Sequence, residues 1–330
     1  MGRDLNPVSL DDVRRARDRI GGIVVRTPLV RFETGANEDG PEIWLKLENL
    51  QPIGSFKLRG AVNRMRAIDR QQLVDGGGAY TASAGNMAQG VAYAARQLGV
   101  PARVIVPDSA PAAKLDAIRR LGGEIVAVPY DDWWNAMRDH GRRGMPGVFI
   151  HPFADADVMA GNGTIALEIH EDLGDVDAIL VPWGGGGLAS GIASVARALR
   201  PSVRVFACEV EGAAPLSASF AAGAAVTIEN RRSFVDGIGG RGVFPEIWPL
   251  ARSLIADSLV VSVEHVAQSV GLLASRARVV AEGAGAAALA AALGPVRQIT
   301  PRPARVVCIV SGGNIDASIL ASILSGSIPR

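Results

Sequence analysis

Short apolar runs alternate with longer amphipathic segments through the middle of the chain. The pattern predicts a strand at 102–107, a helix at 111–121 and a second strand at 124–128. The same order of elements returns over residues 178–208. Continuously apolar strands suit a parallel sheet that is covered on both faces, and a right-handed crossover joins two such strands. The pattern therefore predicts an α/β protein.

Composition narrows the function without identifying it. The 330 residues are enough for two domains with a sizeable core. The net charge is +1 with both signs scattered, which argues against a nucleic-acid partner. No apolar run approaches the ~20 residues of a membrane span, although 48% of the residues are hydrophobic. We therefore expect a protein that binds neither nucleic acid nor a membrane.

Targeting and redox features favour the cytoplasm. Residues 1–7 lack the apolar core of a signal peptide, and a helix is predicted over Leu10–Ile20. Cys208 and Cys308 lie in apolar, strand-like runs, so buried thiols are expected rather than a disulfide. Few residues follow Leu324, so no regulatory domain is expected at the carboxyl end.

The octapeptide GSFKLRGA at 54–61 carries more chemistry than any other stretch. A lysine amine condenses with a carbonyl to form a Schiff base, and a nearby cation or a dry pocket lowers its pKa. Lys57 is such a lysine, Arg59 is the candidate cation, and the small residues around them leave room for a bulky ring. The structural alternative is a helix start that Ser55 caps, with two solvated basic side chains.

A second motif, TASAGNMAQG at 81–90, stands between a Gly-rich turn and an Ala-rich run that predicts a helix at 91–98. The free N–H groups of a helix start form a ready site for a carboxylate. The alternative is an ordinary helix that Ser83 and Asn86 cap.

Four consecutive glycines, 184–187, separate the predicted strand at 178–181 from a helix that runs to Leu199. Glycine adds unfolded-state entropy that folding must overcome, so four together indicate a functional constraint. A backbone that wraps a phosphate with its N–H groups explains them. The loop lacks the lysine of a Walker A site, and no G-x-G-x-x-G follows the first strand.

The fourth motif is the end of an apolar strand predicted at 306–310, which runs into Ser311-Gly312-Gly313-Asn314. It leaves a hydroxyl at the carboxyl end of a buried strand, where open α/β sheets bind ligands. Many strands end in this way, so the motif gains meaning only together with the other three.

The four motifs together resemble those of the fold-type II pyridoxal-phosphate (PLP) enzymes, in the same order and at similar separations. The branch is similar to the serine/threonine dehydratase and serine racemase family, from residue 26 to the end of the chain. Further matches are RTPL at 26–29, LKLEN at 45–49, AGNGT at 160–164, VDG at 235–237 and EGAG at 282–285.

The resemblance implies a fold like that of the tryptophan synthase β subunit. Two open, twisted, mostly parallel sheets would form two domains, with the cofactor in the cleft between them. A small domain would span residues 77–150, and a large PLP-binding domain would comprise residues 1–76 and 151–330. The resemblance also implies a homodimer.

The resemblance further implies roles for matching residues. Lys57 would hold PLP as a Schiff base, Asn86 would hydrogen-bond the ring hydroxyl, and Ser311 would face the pyridine nitrogen. Phe56 would flank the ring, and Glu282 would lie near it. The phosphate would lie in the loop formed by Gly184, Gly185, Gly186, Gly187 and Leu188. The substrate carboxylate would be held at the helix start formed by Ser83, Ala84, Gly85, Asn86 and Met87.

The implied reaction is α,β-elimination on an L-β-hydroxy amino acid, with L-threonine and L-serine as the expected substrates. Lys57 would remove the Cα proton as general base, and the products would be a 2-oxo acid and ammonia. The alternatives are β-replacement like that of cysteine synthase or threonine synthase, racemisation of an amino acid, and a PLP-binding protein without turnover.

Two residues depart from the family pattern at 83–87, which more usually reads Ser-Ser-Gly-Asn-His. Ala84 replaces the serine that carries a proton on the opposite cofactor face in the racemases, so weak racemisation is expected. Met87 replaces the histidine and predicts a more apolar wall for the substrate side chain. A substrate larger or less polar than threonine is compatible with that wall.

The metal site of metal-dependent relatives is incomplete in this chain. Those relatives bind a divalent cation through a Glu, a backbone carbonyl four residues on and an Asp six residues on. Glu209 and Ala213 match the first two positions, but the third is Pro215, which has no side-chain oxygen. The sequence therefore predicts no metal, with Glu209 as a polar residue at a strand end.

The histidines are scattered along the sequence, which predicts neither a metal cluster nor a catalytic triad. The turn His151-Pro152-Phe153 is interpreted as structural. The run DDWW at 131–134 predicts a helix start with packing aromatic rings.

Overall fold

The computed structural model describes residues 5–34 and 40–329. Residues 1–4 lie outside that range, and they are part of the segment 1–7 that lacks the apolar core of a signal peptide. None of the helices in the described ranges combines the length and the apolar character needed to cross a membrane.

The described residues form two sheets. Their strands, numbered in chain order, are β1 (Leu29–Phe32), β2 (Glu42–Lys46), β3 (Ala79–Ala82), β4 (Ala102–Pro107), β5 (Gly123–Val128), β6 (Val148–Phe149), β7 (Ala178–Pro182), β8 (Arg204–Val210), β9 (Asp257–Val261) and β10 (Arg305–Ile309).

Helices cover both sheets. They are α1 (Leu10–Ile20), α2 (Lys57–Arg66), α3 (Arg70–Asp75), α4 (Asn86–Leu98), α5 (Ala112–Arg120), α6 (Tyr130–Arg138), α7 (Ala156–Asp172), α8 (Gly187–Leu199), α9 (Pro215–Ala222), α10 (Trp248–Leu254), α11 (Val263–Leu272), α12 (Gly283–Leu293) and α13 (Ala317–Leu324).

The larger sheet has the order β1-β2-β10-β7-β8-β9. β1 pairs with β2 in antiparallel fashion, and every other pairing in this sheet is parallel. All five residues of β7 are buried, as continuously apolar strands of a covered parallel sheet should be. This sheet confirms the predicted α/β class and the mostly parallel arrangement.

The smaller sheet has the order β5-β4-β3-β6 and is parallel throughout. Its strands all come from residues 79–149. The domain boundaries at 77 and 150 stay a prediction, because a sheet does not by itself mark where a domain begins or ends.

Several elements agree closely with the sequence prediction. The helix Leu10–Ile20 and the strand Ala102–Pro107 have the predicted bounds, and α6 begins at the predicted aromatic run. The helix predicted at 91–98 begins earlier, at Asn86. The cause is that Gly85 ends the extended segment and the backbone turns helical directly after it.

α12 shows how small residues bring a helix onto the large sheet. Its sequence GAGAAALAAAL is buried from residue 283 to residue 292. A Cβ on Gly285 would lie 2.3 Å from the Gly312 carbonyl oxygen, so this glycine permits the close approach. The packing carries Glu282, directly before the helix, to the end of β10, where its N–H donates to the Gly312 carbonyl at 3.0 Å.

The four motifs lie close together because each of them either follows the carboxyl end of a parallel strand or packs against such a strand end. Ser83 follows β3, the glycine loop follows β7, and Ser311 follows β10. Carboxyl ends of parallel strands are where open sheets bind ligands. The candidate site therefore lies where the carboxyl ends of strands from both sheets meet the start of α2.

Candidate active site

The segment before α2 is bound to the end of β10. The Phe56 N–H donates to the Ser311 carbonyl at 2.9 Å, and Ser55 forms a β-bridge with Gly312. Phe56 occupies the N-cap position of α2, without a side-chain cap. The expectation that Ser55 caps this helix is wrong: its buried Oγ has no hydrogen-bond partner among the described residues. The bridge orients Ser55 away from the free N–H groups of the helix.

Lys57 opens α2 and is half-buried. Its Nζ donates to the Pro152 carbonyl at 2.7 Å and lies 5.2 Å from the centre of the Phe56 ring. Removal from water lowers the pKa of the Lys57 amine to about 8, because the charged form loses hydration without gaining a counter-ion. A lysine in this state loses its proton far more readily than an exposed one.

Arg59 is not the cation that lowers this pKa. It is fully buried, and its guanidinium donates to Glu48 at 2.8 Å and to Glu168 at 2.7 and 2.9 Å. Although burial alone would lower the pKa of Arg59, the two carboxylates raise it above its ordinary range. Lys46 completes the cluster through a 2.6 Å bond to Glu168. The proposed neighbouring cation is thus a neutralised structural group, and desolvation alone acts on Lys57.

The glycine loop connects β7 to α8, and three of its four glycines, Gly185, Gly186 and Gly187, are sterically required. A Cβ on Gly185 would lie 2.2 Å from Cδ1 of Phe153, and one on Gly187 would lie 2.5 Å from the Phe153 carbonyl oxygen. Gly186 has φ +87°, which side chains rarely adopt. Packing therefore explains three of the four glycines without a phosphate. It also leaves the start of α8 free of side-chain caps, with Leu188 buried behind it.

The turn at 151–153 was interpreted as structural, but it touches two parts of the candidate site. The Pro152 carbonyl accepts the Lys57 amine, and Phe153 packs on the glycine loop. The sequence signal that could have revealed this role is a proline-containing turn directly after a strand of the small sheet, β6.

Residues 83–85 join β3 to α4, and Asn86 and Met87 are the first two residues of that helix. Ser83 Oγ accepts the Gly85 N–H at 3.2 Å, and Gly85 is the N-cap of α4. Neither Ser83 nor Asn86 caps this helix with its side chain, so that alternative is wrong. The Ala84 methyl group is half-buried and offers no proton.

Met87 does not form the expected apolar wall. Only 1% of its surface is exposed, and it belongs to the core cluster that contains Leu58 and Val91. As the second residue of α4, its side chain points to the helix face that packs on α2. The side chain is therefore part of the core, and only the backbone of Met87 remains at the helix start.

Asn86 and Glu282 form the polar part of the site. Asn86 Nδ2 donates to Glu282 Oε1 at 2.8 Å. Burial raises the pKa of the Glu282 carboxyl to about 7, and the Asn86 amide offsets only part of that effect. A Cβ on Gly312 would lie 2.4 Å from Glu282 Oε1, so this glycine admits the carboxyl. The structure thus brings Glu282, Asn86 and the end of β10 together.

Glu209 lies near the carboxyl end of β8, and Ala213 follows that strand. The Glu209 carboxylate accepts the N–H groups of Leu216 and Ser217 at 2.9 and 2.8 Å and the Ser258 hydroxyl at 2.6 Å. Burial raises the pKa of Glu209 in spite of these donors. The carboxylate thus serves the start of α9, where Pro215 is the first residue. That no metal binds here stays a prediction.

Two of the histidines are not scattered in space. The rings of His140 and His151 stack at 4.4 Å, and Glu246 lies 3.1 Å from His140 Nε2. His151 Nδ1 accepts the Ala154 N–H at 2.7 Å, and its Nε2 lies 3.2 Å from the Met137 carbonyl. Burial lowers the pKa of His151 to about 3, so the ring stays neutral. Because both ring nitrogens of His151 have hydrogen-bond partners, this ring orders the turn.

Comparison with known proteins shows which family has a similar sequence and structure. The family model described as pyridoxal-phosphate dependent enzyme matches residues 20–312. An L-threonine ammonia-lyase of Thermotoga maritima is 36% identical over 98% of this chain and 80% of its own length. The catabolic L-threonine dehydratase of Escherichia coli is 36% identical over 96% of both chains. The structure of maize serine racemase aligns with a TM-score of 0.89 and 33% identity, over 97% of this chain and 98% of the racemase.

These matches span nearly the whole chain and both sheets, and they confirm the resemblance drawn from the four motifs. The cofactor of the family is pyridoxal 5′-phosphate. Because the family model and these relatives match most of its length, the chain belongs to the family of pyridoxal-phosphate dependent enzymes.

Proposed function

We propose that this enzyme catalyses PLP-dependent α,β-elimination on an L-β-hydroxy amino acid, releasing a 2-oxo acid and ammonia. L-threonine and L-serine are the first candidate substrates. The observation that carries the proposal is Lys57, whose amine is desolvated to a pKa of about 8 and held by one carbonyl. The names of the relatives from Thermotoga maritima and Escherichia coli favour threonine.

The residues of the site fit the cofactor. The start of α8 offers free N–H groups and a positive dipole end to a phosphate, and no side chain of Gly184 to Gly187 obstructs it. In the proposed assignment, Leu188 completes this loop, Phe56 flanks the ring, and Ser311 faces the ring nitrogen. Asn86 would hydrogen-bond the ring hydroxyl, and Glu282, whose Oε1 accepts the Asn86 amide at 2.8 Å, would lie near the ring. PLP, when bound, supplies the electron sink for the charge left on the substrate α-carbon.

Lys57 would act as the general base at Cα. Its amine is deprotonated for a useful fraction of the time near neutral pH, because its pKa is about 8. The Pro152 carbonyl holds Nζ at 2.7 Å and so limits the directions from which it can take a proton. The proton taken from Cα would stay on Lys57 until the β-hydroxyl leaves.

The start of α4 would hold the substrate carboxylate. The N–H groups there are free of side-chain caps, and Ser83, Ala84 and Gly85 are half-buried beside them. Asn86 and the backbone N–H of Met87 complete the proposed cradle. A carboxylate fixed here would orient Cα towards Lys57.

Ser311 and Ala84 favour elimination over competing outcomes. A serine hydroxyl does not stabilise a protonated ring nitrogen as a carboxylate would, which suits a short-lived carbanion and disfavours transamination. Ala84 has no proton to deliver on the opposite face, so racemisation should be weak although the maize relative is a serine racemase.

The domain boundaries, the oligomeric state and the cellular compartment of the enzyme are part of the same proposal. We place the small domain at 77–150, the large domain on its two flanks, and the enzyme in the cytoplasm as a homodimer. The two cysteines support a reducing compartment, because Cys208 and Cys308 are both buried free thiols.

The test is to incubate the purified holoenzyme with a panel of β-substituted L-amino acids and to measure 2-oxo acid and ammonia. Steady release from threonine or serine without an added nucleophile is the expected result. Product only with an added thiol or other nucleophile would support β-replacement instead. L-to-D conversion of serine as fast as its dehydration would support racemisation. No product from any member would point to a PLP-binding protein without turnover.

A further inference from the structure

Asn314 ends the fourth motif, and the roles proposed above leave it unused. Its Nδ2 donates to the Ile53 carbonyl at 2.8 Å and to Asn86 Oδ1 at 2.8 Å. An amide nitrogen carries two hydrogens, so both have acceptors. Asn314 therefore ties the segment before Lys57 to the first residue of α4.

The orientation of the Asn314 amide follows from the chemistry of its first partner. The Ile53 carbonyl can only accept, so the atom that faces it must be a nitrogen. The same nitrogen faces Asn86, which must therefore turn its oxygen to Asn314. Asn86 then presents its own nitrogen to the other side, 2.8 Å from Glu282 Oε1. A backbone carbonyl thus sets the polarity of Asn86 through Asn314.

Two glycines of the motifs make room for this chain of amides. Gly54 has φ +73°, and a Cβ there would lie 2.6 Å from Asn314 Oδ1. A Cβ on Gly312 would lie 3.3 Å from Asn86 Nδ2 and closer still to Glu282. Side chains at these positions would push Asn314 or Asn86 out of line. The glycines of the first and fourth motifs therefore serve the same arrangement.

We propose that Asn314 is a positioning residue that makes Asn86 a hydrogen-bond donor in the cleft. The inference rests on the proposed role of Asn86 at the cofactor's ring hydroxyl. A donor there favours the ionised oxygen of that group, whereas an amide turned the other way would favour the protonated form. Asn314 itself is exposed, so its hydrogen bonds add little to the free energy of unfolding.

The test compares Asn314→Asp and Asn314→Ala with the matched control Asn49→Ala, all as holoenzymes. The Asp variant keeps the shape but turns oxygens towards two acceptors, so Asn86 must rotate or withdraw. Asn49 also donates from Nδ2 to one backbone carbonyl, that of Val280 at 3.1 Å, and lies beside Gly313 without contacting Asn86.

Both Asn314 variants should change the visible absorption spectrum of bound PLP and weaken PLP binding about tenfold, a typical loss when an orienting partner is removed. The control should keep the wild-type spectrum. Apo-protein melting temperatures of the variants should stay within about 2 °C of wild type, since less than about 1 kcal/mol is lost.

A double-mutant cycle separates positioning from a general structural role. If Asn314 acts through Asn86, then Asn314→Ala should add no spectral change and no further loss of PLP affinity to Asn86→Ala. Additive losses, or wild-type spectra in both Asn314 variants, would overturn the inference. If the variants do not fold, a wild-type holo crystal structure at better than about 1.2 Å decides, and an Asn86 oxygen facing Glu282 would overturn it.

The outcome is independent of turnover, because the spectrum requires only bound PLP. A coloured wild-type protein that releases no 2-oxo acid would contradict the proposed reaction and leave this test intact.

Discussion

Lys57 and Arg59 lie two residues apart in the first turn of α2, yet the protein treats these two cations in opposite ways. The Arg59 guanidinium lies between the carboxylates of Glu48 and Glu168, and all of these contacts are shorter than 3 Å. Within the described ranges, the Lys57 amine donates only to the Pro152 carbonyl. Removal from water acts on both side chains, but only one of them has counter-ions.

The difference separates structural charge from chemical charge. Paired carboxylates raise the pKa of Arg59 above its ordinary range, so this group cannot exchange a proton near neutral pH. The unpaired amine of Lys57 has a pKa lowered to about 8. A buried ionisable group without a counter-ion is destabilising for the fold, and such groups concentrate at functional sites. The octapeptide therefore contains one cation that stabilises the fold, Arg59, and one amine that can react, Lys57.

The largest expected effect is on activity, at Lys57. In the proposed function Lys57 is both the cofactor attachment and the general base, so Lys57→Ala should lower turnover at least about 10³-fold. Lys57→Arg keeps the charge but cannot condense with a carbonyl, so it should be equally inactive. Without cofactor, both variants should melt no more than a few degrees below the wild-type protein. Either variant within tenfold of wild-type turnover would contradict the role of Lys57.

The next effect is on stability, at Arg59. Arg59→Met leaves two carboxylates buried without their shared cation, which should lower the free energy of unfolding by about 3–5 kcal/mol. Arg66→Met is the matched control on the same helix, since Arg66 is exposed and, among the residues that the structure describes, bonds only backbone carbonyls at the end of α1. It should cost less than about 1 kcal/mol. Urea titration measures the free energy of unfolding of both variants. Equal losses would contradict the structural role of the Arg59 cluster.

The smallest effect is a pH dependence at Glu282, whose pKa is raised to about 7 from 4.5. Between these values the folded protein holds a proton that the unfolded chain has released, so this group lowers stability as pH rises through that window. Glu282→Gln removes the effect. The apo variant should melt about 2–4 °C above wild type at pH 8 and no higher than wild type at pH 4. A difference that is constant with pH would contradict the assignment.

The sequence was informative where local pattern and topology decide the outcome. The motifs at Lys57, Ser83, Gly184 and Ser311 were predicted to act together, and the parallel strands do bring them to one place. Parallel topology makes this predictable, because the carboxyl ends of such strands meet at one edge of a sheet.

The sequence was uninformative where residues far apart in the chain determine the environment of a side chain. Arg59 was assigned to the reactive lysine because it is near in sequence, whereas Glu168, more than 100 residues away, neutralises it. Met87 was assigned to the substrate wall, but helical geometry points its side chain into the core. The stacking of His140 on His151 depends on how the turn after β6 folds back. None of these outcomes is encoded in the spacing of neighbouring residues.

The chain offers an unusually direct test of the central claim, because it contains only three lysines: Lys46, Lys57 and Lys114. Lys46 is buried in the Arg59 cluster, and Lys114 is half-buried and paired with Asp236. Borohydride reduction of the coloured holoenzyme, followed by peptide mapping, locates the lysine that carries the cofactor. The account predicts the added mass on Lys57 alone. Cofactor mass on Lys46 or Lys114, or on no lysine, would contradict it.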